Sequence, residues 1–456
     1  MNPPDENAIT RKINQLRKRR QEGPPRKERN YDDLLQEMEN CVRLRNGYKI
    51  SSILKLTQLP VDILVFDETT EIELRKKIKK KNALKNYEQL IIDHYTIIKT
   101  LCNRNSINWD VLLSTGCKYL SSFIHLYSEN LWLLPYLLTI CSFLNTISTL
   151  ADSYYSTSSK NDIYNEENED INEKNKYTIE VLNSIRGKIG IVKGDIEKHG
   201  GFVILMFQSI KLCMKLNNMQ ITTSFLKIIN STDIGYGYIP KCFIVLFKYQ
   251  LGKLYLHKMD YEKAEKEFVW AFSNSRKGKT DFKKKLLESI ISIRLNKGLY
   301  PPKRLLQDYE LTVYMDIIHS IKQGNIFLYN RVMDSNSKYF FDNGLNECID
   351  QIHFVVKRNL LKIAVDWWNE TVKDNPSKLY KVPICIFHHI FNWARITQHH
   401  HQLETLCIIT SLILFKYINA YVAYDSNILV LSKNDPFPSL SKCRMGVRST
   451  VDKPYA

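Results

Sequence analysis

Ile418–Leu440 reads INAYVAYDSNILVLSKNDPFPSL, and its reading decides the fold. Ala420–Tyr424 is dense in β-branched and aromatic residues, which suit a pleated, half-buried surface. Asp425-Ser426-Asn427 supplies turn chemistry and Ile428–Leu431 is a second apolar run, so the order predicts a β-hairpin. Pro436 and Pro438 end it, because proline has no N–H to donate to a ladder. A lone two-stranded hairpin is marginal in water. This one needs a support, and the helical pattern at Leu403–Tyr417 lies just before it. Helices followed by a terminal hairpin form the pattern of a winged helix.

Outside this stretch the chain reads as helix. Its 456 residues exceed one small core, so two or three domains or a long repeat array are expected. Hydrophobic residues make up 44% and aromatic residues 11%, enough for an extensive core, while 16 Gly and 14 Pro are few for this length and favour long helices. Ten scattered cysteines without a C-x-x-C spacing, behind a polar N-terminus, predict reduced thiols in the cytosol or nucleus. Leu131–Leu150 is long and apolar but carries Pro135, Asn145 and several hydroxyls, so a buried core helix is expected there and no membrane partner.

Tyr249–Ser275 carries a repeat signature. Leu251, Gly252, Tyr255, Tyr261, Ala264, Phe268 and Ala271 fall at tetratricopeptide spacings. Glycine inside a helix costs about 1 kcal/mol against alanine, and it is tolerated where a partner helix comes close. Ala264 is the small residue expected to oppose Gly252. Gly194, Gly200 and Gly201 read as turn punctuation. The fold class is therefore all-α, a solenoid of tetratricopeptide-like helical hairpins ending in a winged helix with a small β-hairpin. The composition divides it into a basic arm at 1–30, a helical-repeat region at 31–275, a C-terminal domain at 276–440 with its winged helix at about 378–433, and a tail at 441–456. Residues 151–177, polar, acidic and Asn-rich, read as a disordered insertion.

A formal net charge of +17 points to a polyanionic partner or to a well-solvated basic surface. Lys378, Lys381, Arg395, Lys416, Lys433, Lys442 and Arg444 flank the expected winged helix and are the candidate nucleic-acid contacts. Leu403–Phe415 has Glu404 as its only charged residue, which does not suit a helix reading bases in a groove. Weak, salt-sensitive and sequence-tolerant binding to RNA or DNA is expected. Trp367, Trp368, Tyr421 and Phe437 are the candidate protein-interface residues. The basic arm, with Arg17-Lys18-Arg19-Arg20, suits a nuclear import signal. The His-rich stretch at His388, His389 and His399–His401 lacks a metal-ligand spacing and reads as a solvated loop. No phosphate loop, nucleophile elbow or dinucleotide fingerprint is present, so no catalytic residue, metal or cofactor is assigned and a non-enzymatic role is expected.

Several of these segments resemble one family when taken together. The Gly324-Asn325 turn, Phe340-Phe341 followed by Gly344, the Arg358-Asn359-Leu360 step, and Ser432-Lys433 running to Asp435-Pro436-Phe437-Pro438 are similar to the PCI domain. More narrowly they resemble the branch of PCI domain-containing protein 2 and the signalosome-subunit-12-like proteins, over roughly residues 90–440. The resemblance implies a non-enzymatic scaffold subunit of a nuclear complex coupling transcription to mRNA export. It implies two protein partners, a larger PCI-bearing scaffold subunit and a small acidic proteasome-lid-type protein, and a nucleic-acid-binding surface on paired winged helices. A pure protein-interaction subunit of a signalosome-like, proteasome-lid-like or translation-initiation complex is the alternative.

Overall fold

The computed structural model describes residues 31–54, 71–102, 108–158, 175–278, 281–394 and 402–442. The basic arm at 1–30 lies outside them, as do His399–His401, Arg395 and Arg444. The described residues form 18 α-helices, several short 3-10 turns and one three-stranded sheet. The chain divides into two compact units, Met1–Phe247 and Lys248–Ala456.

Unit 1 holds α1 (Tyr31–Arg43), α2 (Gly47–Ile53), α3 (Glu71–Lys80), α4 (Glu88–Cys102), α5 (Trp109–Glu129), α6 (Leu134–Ser158), α7 (Lys176–Lys193), α8 (His199–Lys215), α9 (Met219–Ser231) and the first part of α10 (Lys241–His257). From α4 to α9 each helix packs on the next, and α5 and α6 also reach the next but one, which is the packing of a solenoid. The sequence from Leu131 to Ser156 is apolar and long enough to cross a membrane, yet 67% of its most apolar window is buried, mostly as α6 among α2, α5, α7 and α8.

Two glycines expected as punctuation lie inside α8. A Cβ on Gly201 would stand 2.5 Å from the Tyr127 ring, and one on Gly200 would stand 2.9 Å from Leu134. They allow close helix approach, and the Gly201 N–H donates to the Tyr127 hydroxyl at 2.9 Å. The disordered stretch expected at 151–177 is shorter in fact. α6 continues through Ser158, and Lys176 and Tyr177 already open α7. The reason is Asp152, a buried carboxylate that accepts the backbone N–H of Tyr177 at 3.0 Å and of Thr178 at 3.1 Å, and also the Thr178 hydroxyl. It satisfies donors that the first turn of α7 cannot pair internally.

Unit 2 holds the rest of α10, then α11 (Tyr261–Asn274), α12 (Asp281–Asn296), α13 (Lys303–Asp308), α14 (Val313–Gln323), α15 (Ile326–Asn343), α16 (Asn346–Thr371), β1 (Lys381–Pro383), α17 (Ile384–Trp393), α18 (Gln402–Leu414), β2 (Ala420–Ala423) and β3 (Ile428–Leu431). Asp260 caps α11 by accepting the Lys263 N–H at 3.2 Å. The α10–α11 pair forms as its spacing predicts, but Gly252 faces Phe268, whose ring would be 2.7 Å from an added Cβ, and not Ala264.

The predicted hairpin is present as β2 and β3, and the sheet has a third strand that the sequence reading lacked. The order is β1-β3-β2, antiparallel throughout. Three residues ending in proline give no strand signal of their own, yet β1 is an edge strand, where Pro383 can stand at the end of the ladder. The sequence α16-β1-α17-α18-β2-β3 is that of a winged helix, with α16 as its first helix.

Candidate nucleic-acid and protein interface of the C-terminal module

The module is fixed to α16 through one buried arginine. Arg358 is 8% exposed. Its Nε donates to the Tyr417 carbonyl at 3.2 Å, and its Nη2 donates to the carbonyls of Phe437 at 3.1 Å and Pro438 at 2.8 Å. Its Nη1 reaches Asn359 Oδ1 at 3.0 Å, and its guanidinium carbon lies 5.6 Å from the centre of the Phe437 ring. Only arginine presents donors in such a planar fork. The two neighbouring residues point elsewhere. Asn359 Nδ2 donates to the Ile321 carbonyl in the last turn of α14 at 2.8 Å, while the Leu360 backbone lies against Gly324.

Gly324 ends α14 in the left-handed region, φ 64°, and a Cβ there would stand 2.6 Å from Leu360 N. Asn325 then caps α15 by accepting the Leu328 N–H at 2.9 Å. At the hairpin base Asn419 donates its backbone N–H to Pro436 O at 2.9 Å and its Nδ2 to Asp435 O at 2.8 Å, and it accepts the Ser432 N–H at 2.8 Å. The segments that resemble a family in sequence are therefore a single hydrogen-bonded cluster in space.

The sheet register sorts the basic candidates. Lys381 pairs with Val430, and Val430 pairs with Tyr421, so these three side chains share one face. Val382, Leu429 and Val422 form the next row on the opposite face, with Val382 and Leu429 buried. Lys381 and Tyr421 are both exposed, Tyr421 to 63%. Strand β1 runs antiparallel to β3, so Lys378 before β1 and Lys433 after β3 lie at the same end of the sheet. Lys416, between α18 and β2, is also at that end. All three are exposed, and Lys416 has φ 60°. The side chain of Lys442, in the turn Leu440–Lys442, lies outside the described residues.

The protein-interface candidates separate. Trp367 is 55% exposed near the end of α16, and Ile363 one turn earlier is also exposed. Trp368 is half-buried, and its Nε1 is shielded without a hydrogen-bond partner. Phe437 is half-buried under the Arg358 guanidinium, which gives part of its ring an internal contact. Residues that the sequence reading did not single out are Leu403, Cys407, Thr410 and Leu414, which lie at helical spacing on the exposed side of α18. That face carries no Lys or Arg, so it suits apolar contact rather than phosphate. His388 links α17 to α18, with Nδ1 3.3 Å from the Thr405 hydroxyl. Among the described residues no three His, Cys, Asp or Glu side chains group as metal ligands.

Comparison with known proteins places the chain. No family-level sequence profile matches it. It is 22% identical over 328 residues to Enhanced ethylene response protein 5 of Arabidopsis thaliana, covering 71% of this chain and 75% of the relative. It is 25% identical over 236 residues to the PCI domain-containing protein 2 homolog of Dictyostelium discoideum, covering 51% and 52%. To the Protein CSN12 homolog of Mycosarcoma maydis it is 22% identical over 238 residues, covering 50% and 52%. The chain thus spans about half the length of the last two relatives. With the winged-helix order and the Arg358 cluster in place, the chain belongs to the PCI-domain family, in the branch of PCI domain-containing protein 2 and the CSN12-like proteins.

Proposed function

We propose that this chain is a non-enzymatic scaffold subunit of a nuclear multi-protein complex that couples transcription to mRNA export. In this reading it binds a larger PCI-bearing subunit and a small acidic protein, and it contacts RNA or DNA through its basic surface. The observation that carries the reading is the division of labour within the winged helix. The sheet gathers Lys378, Lys416 and Lys433 at one end with Lys381 in the next row, whereas the exposed face of α18 is uncharged. Point charges on a sheet end suit phosphates without base reading, and an apolar helix face suits a protein partner.

The test is RNA binding by the purified complex, measured by fluorescence anisotropy with a labelled single strand at 50 and 200 mM salt. Affinity should fall steeply with salt, and Lys416→Glu with Lys433→Glu should abolish it while the complex still co-purifies. Binding indifferent to salt and to both substitutions would remove the nucleic-acid part of the reading. The apolar face of α18 favours a second reading, a pure protein-interaction subunit of a signalosome-like, proteasome-lid-like or translation-initiation complex. The identity of the larger subunit that co-purifies decides between the two.

A further inference from the structure

Unit 1 contains a cleft that the scaffold reading does not use. It has a volume of about 570 Å³ and is lined with aromatic and proline rings, among them Tyr48, Tyr127, Trp132, Pro135, Tyr238 and Pro240. Tyr48 and Tyr238 are 60% and 68% exposed, so their faces are open to a ligand. The walls are set before anything binds. A Cβ on Gly47 would stand 2.0 Å from the Trp132 carbonyl oxygen, so the start of α2 lies directly against the start of the α6 segment. Trp132 Nε1 donates to Asn130 Oδ1 at 3.3 Å, and the Tyr48 hydroxyl lies 3.7 Å from Cys242 Sγ. Preset aromatic rings around a shallow cleft are the surface on which extended proline segments dock, because that backbone is already ordered and loses little entropy.

We propose that the occupant is the chain's own Gly23-Pro24-Pro25 segment, folded back along α1. Three observations select it. The first is reach. From Tyr31 to Arg43, α1 rises about 18 Å at 1.5 Å per residue. The six steps from Pro25 to Tyr31, in a polyproline conformation, span about 19 Å at 3.1 Å per residue. A chain doubling back along α1 therefore brings Pro24 and Pro25 level with Arg43 and Leu44, where the cleft begins.

The second observation is charge. The intervening residues Arg26, Lys27 and Arg29 are basic, and α1 presents Asp33 and Glu37 one turn apart. The third is chemistry. Glu197 and Arg45 both line the cleft, and the Gly-Pro-Pro that would meet them carries no charge to conflict with either. Docking fixes the root of the arm, so that Arg17-Lys18-Arg19-Arg20 emerges beside the α1–α2 corner.

Limited trypsin digestion of the full chain tests this, because the arm contains its own reference sites. Cleavage after Arg26, Lys27 and Arg29 should be at least about tenfold slower than cleavage after Arg17–Arg20, since protection tracks the docked population. Pro24→Gly with Pro25→Gly, and separately Tyr238→Ala, should bring the two rates together. Tyr238 is largely exposed, and unchanged cleavage at Arg17–Arg20 reports that the fold is intact. Equal rates in the unaltered chain would overturn the proposal, as would a tenfold difference that both variants leave in place. If the rates are equal and a separate proline-rich peptide binds the cleft, the site belongs to a partner in trans and the arm is not its occupant.

Discussion

Arg358 Nη2 lies 2.8 Å from the carbonyl oxygen of Pro438, across 80 residues of chain. The same side chain also binds Tyr417 O and Phe437 O, so one buried cation closes both ends of the hairpin onto α16. Removing it leaves three carbonyls without these donors in a site that excludes much of the water. Arg358→Ala should cost roughly 3 kcal/mol, since hydrogen bonds to charged groups are worth about 1.5–3 kcal/mol each and are not additive. Arg358→Lys should recover little, because an ammonium cannot span the fork. Urea denaturation measures the loss. Hydrogen exchange should show Asn419 and Ser432 amides opening before those of α14.

Gly324 and Gly344 offer a paired test of what a helix-ending glycine does. Both have left-handed φ, 64° and 66°. A Cβ on Gly324 would stand 2.6 Å from Leu360 N, whereas nothing lies within 4 Å of one on Gly344. Gly344→Ala should therefore cost only the conformational term, about 1 kcal/mol. Gly324→Ala adds overlap with a backbone that cannot move aside, and should cost about 3 kcal/mol. Equal losses in the two variants would mean that α16 shifts freely away from α14.

This contrast marks what could be read from the sequence and what could not. Gly324 followed by Asn325 announces a helix end and a new cap, because those residue types act locally. Its packing against Leu360 is not local and leaves no trace in the residues beside it. The hairpin at Ala420–Leu431 was legible through alternation and turn chemistry, while β1, three residues ending at Pro383, exists only because β3 offers it an edge. Arg358 follows Lys357 and reads as part of a basic surface, and only the fold shows that it points inward. The same limit applies to Asp152. Its position in a polar stretch suggests a solvated loop, and the buried cap it provides depends on where α7 begins. Among the site candidates, the exposure of Lys378, Lys381, Lys416 and Lys433 follows from charge, but their grouping follows from register.

A buried histidine sets an acid limit on stability. His94, on α4, is 2% exposed. Burial pushes its pKa down from 6.5 to about 4, outweighing a weaker opposing effect of the Leu54 backbone. In the unfolded chain the ring binds a proton near pH 6.5, and in the folded chain only near pH 4. Between these values the unfolded state holds more protons, so stability falls as the pH falls through that window. At pH 5 the loss from this group should be about 2 kcal/mol relative to pH 8. His94→Phe keeps a ring in the core and removes the titration. Its denaturation midpoint should change less than that of the unaltered chain between pH 8 and pH 5, and parallel curves would assign the acid sensitivity to other groups.

Asp152 ties the end of α6 to the start of α7, and this tie can be tested apart from the rest of unit 1. Its two carboxylate oxygens accept the Tyr177 and Thr178 N–H groups and the Thr178 hydroxyl, all in a buried site. Asp152→Ala strands two backbone donors that no helix bond can take, because they lie in the first turn of α7. The cost should be about 2 kcal/mol, the upper range for a lost cap. Asp152→Asn keeps one acceptor oxygen and should recover part of the loss, whereas Asp152→Leu, closer in size but unable to accept, should recover none. Hydrogen exchange locates the effect. The Tyr177 and Thr178 amides should exchange fastest in the Ala and Leu variants, with α8 and α9 little changed. Uniform acceleration across unit 1 would instead show that the carboxylate supports the whole helical stack rather than one helix end.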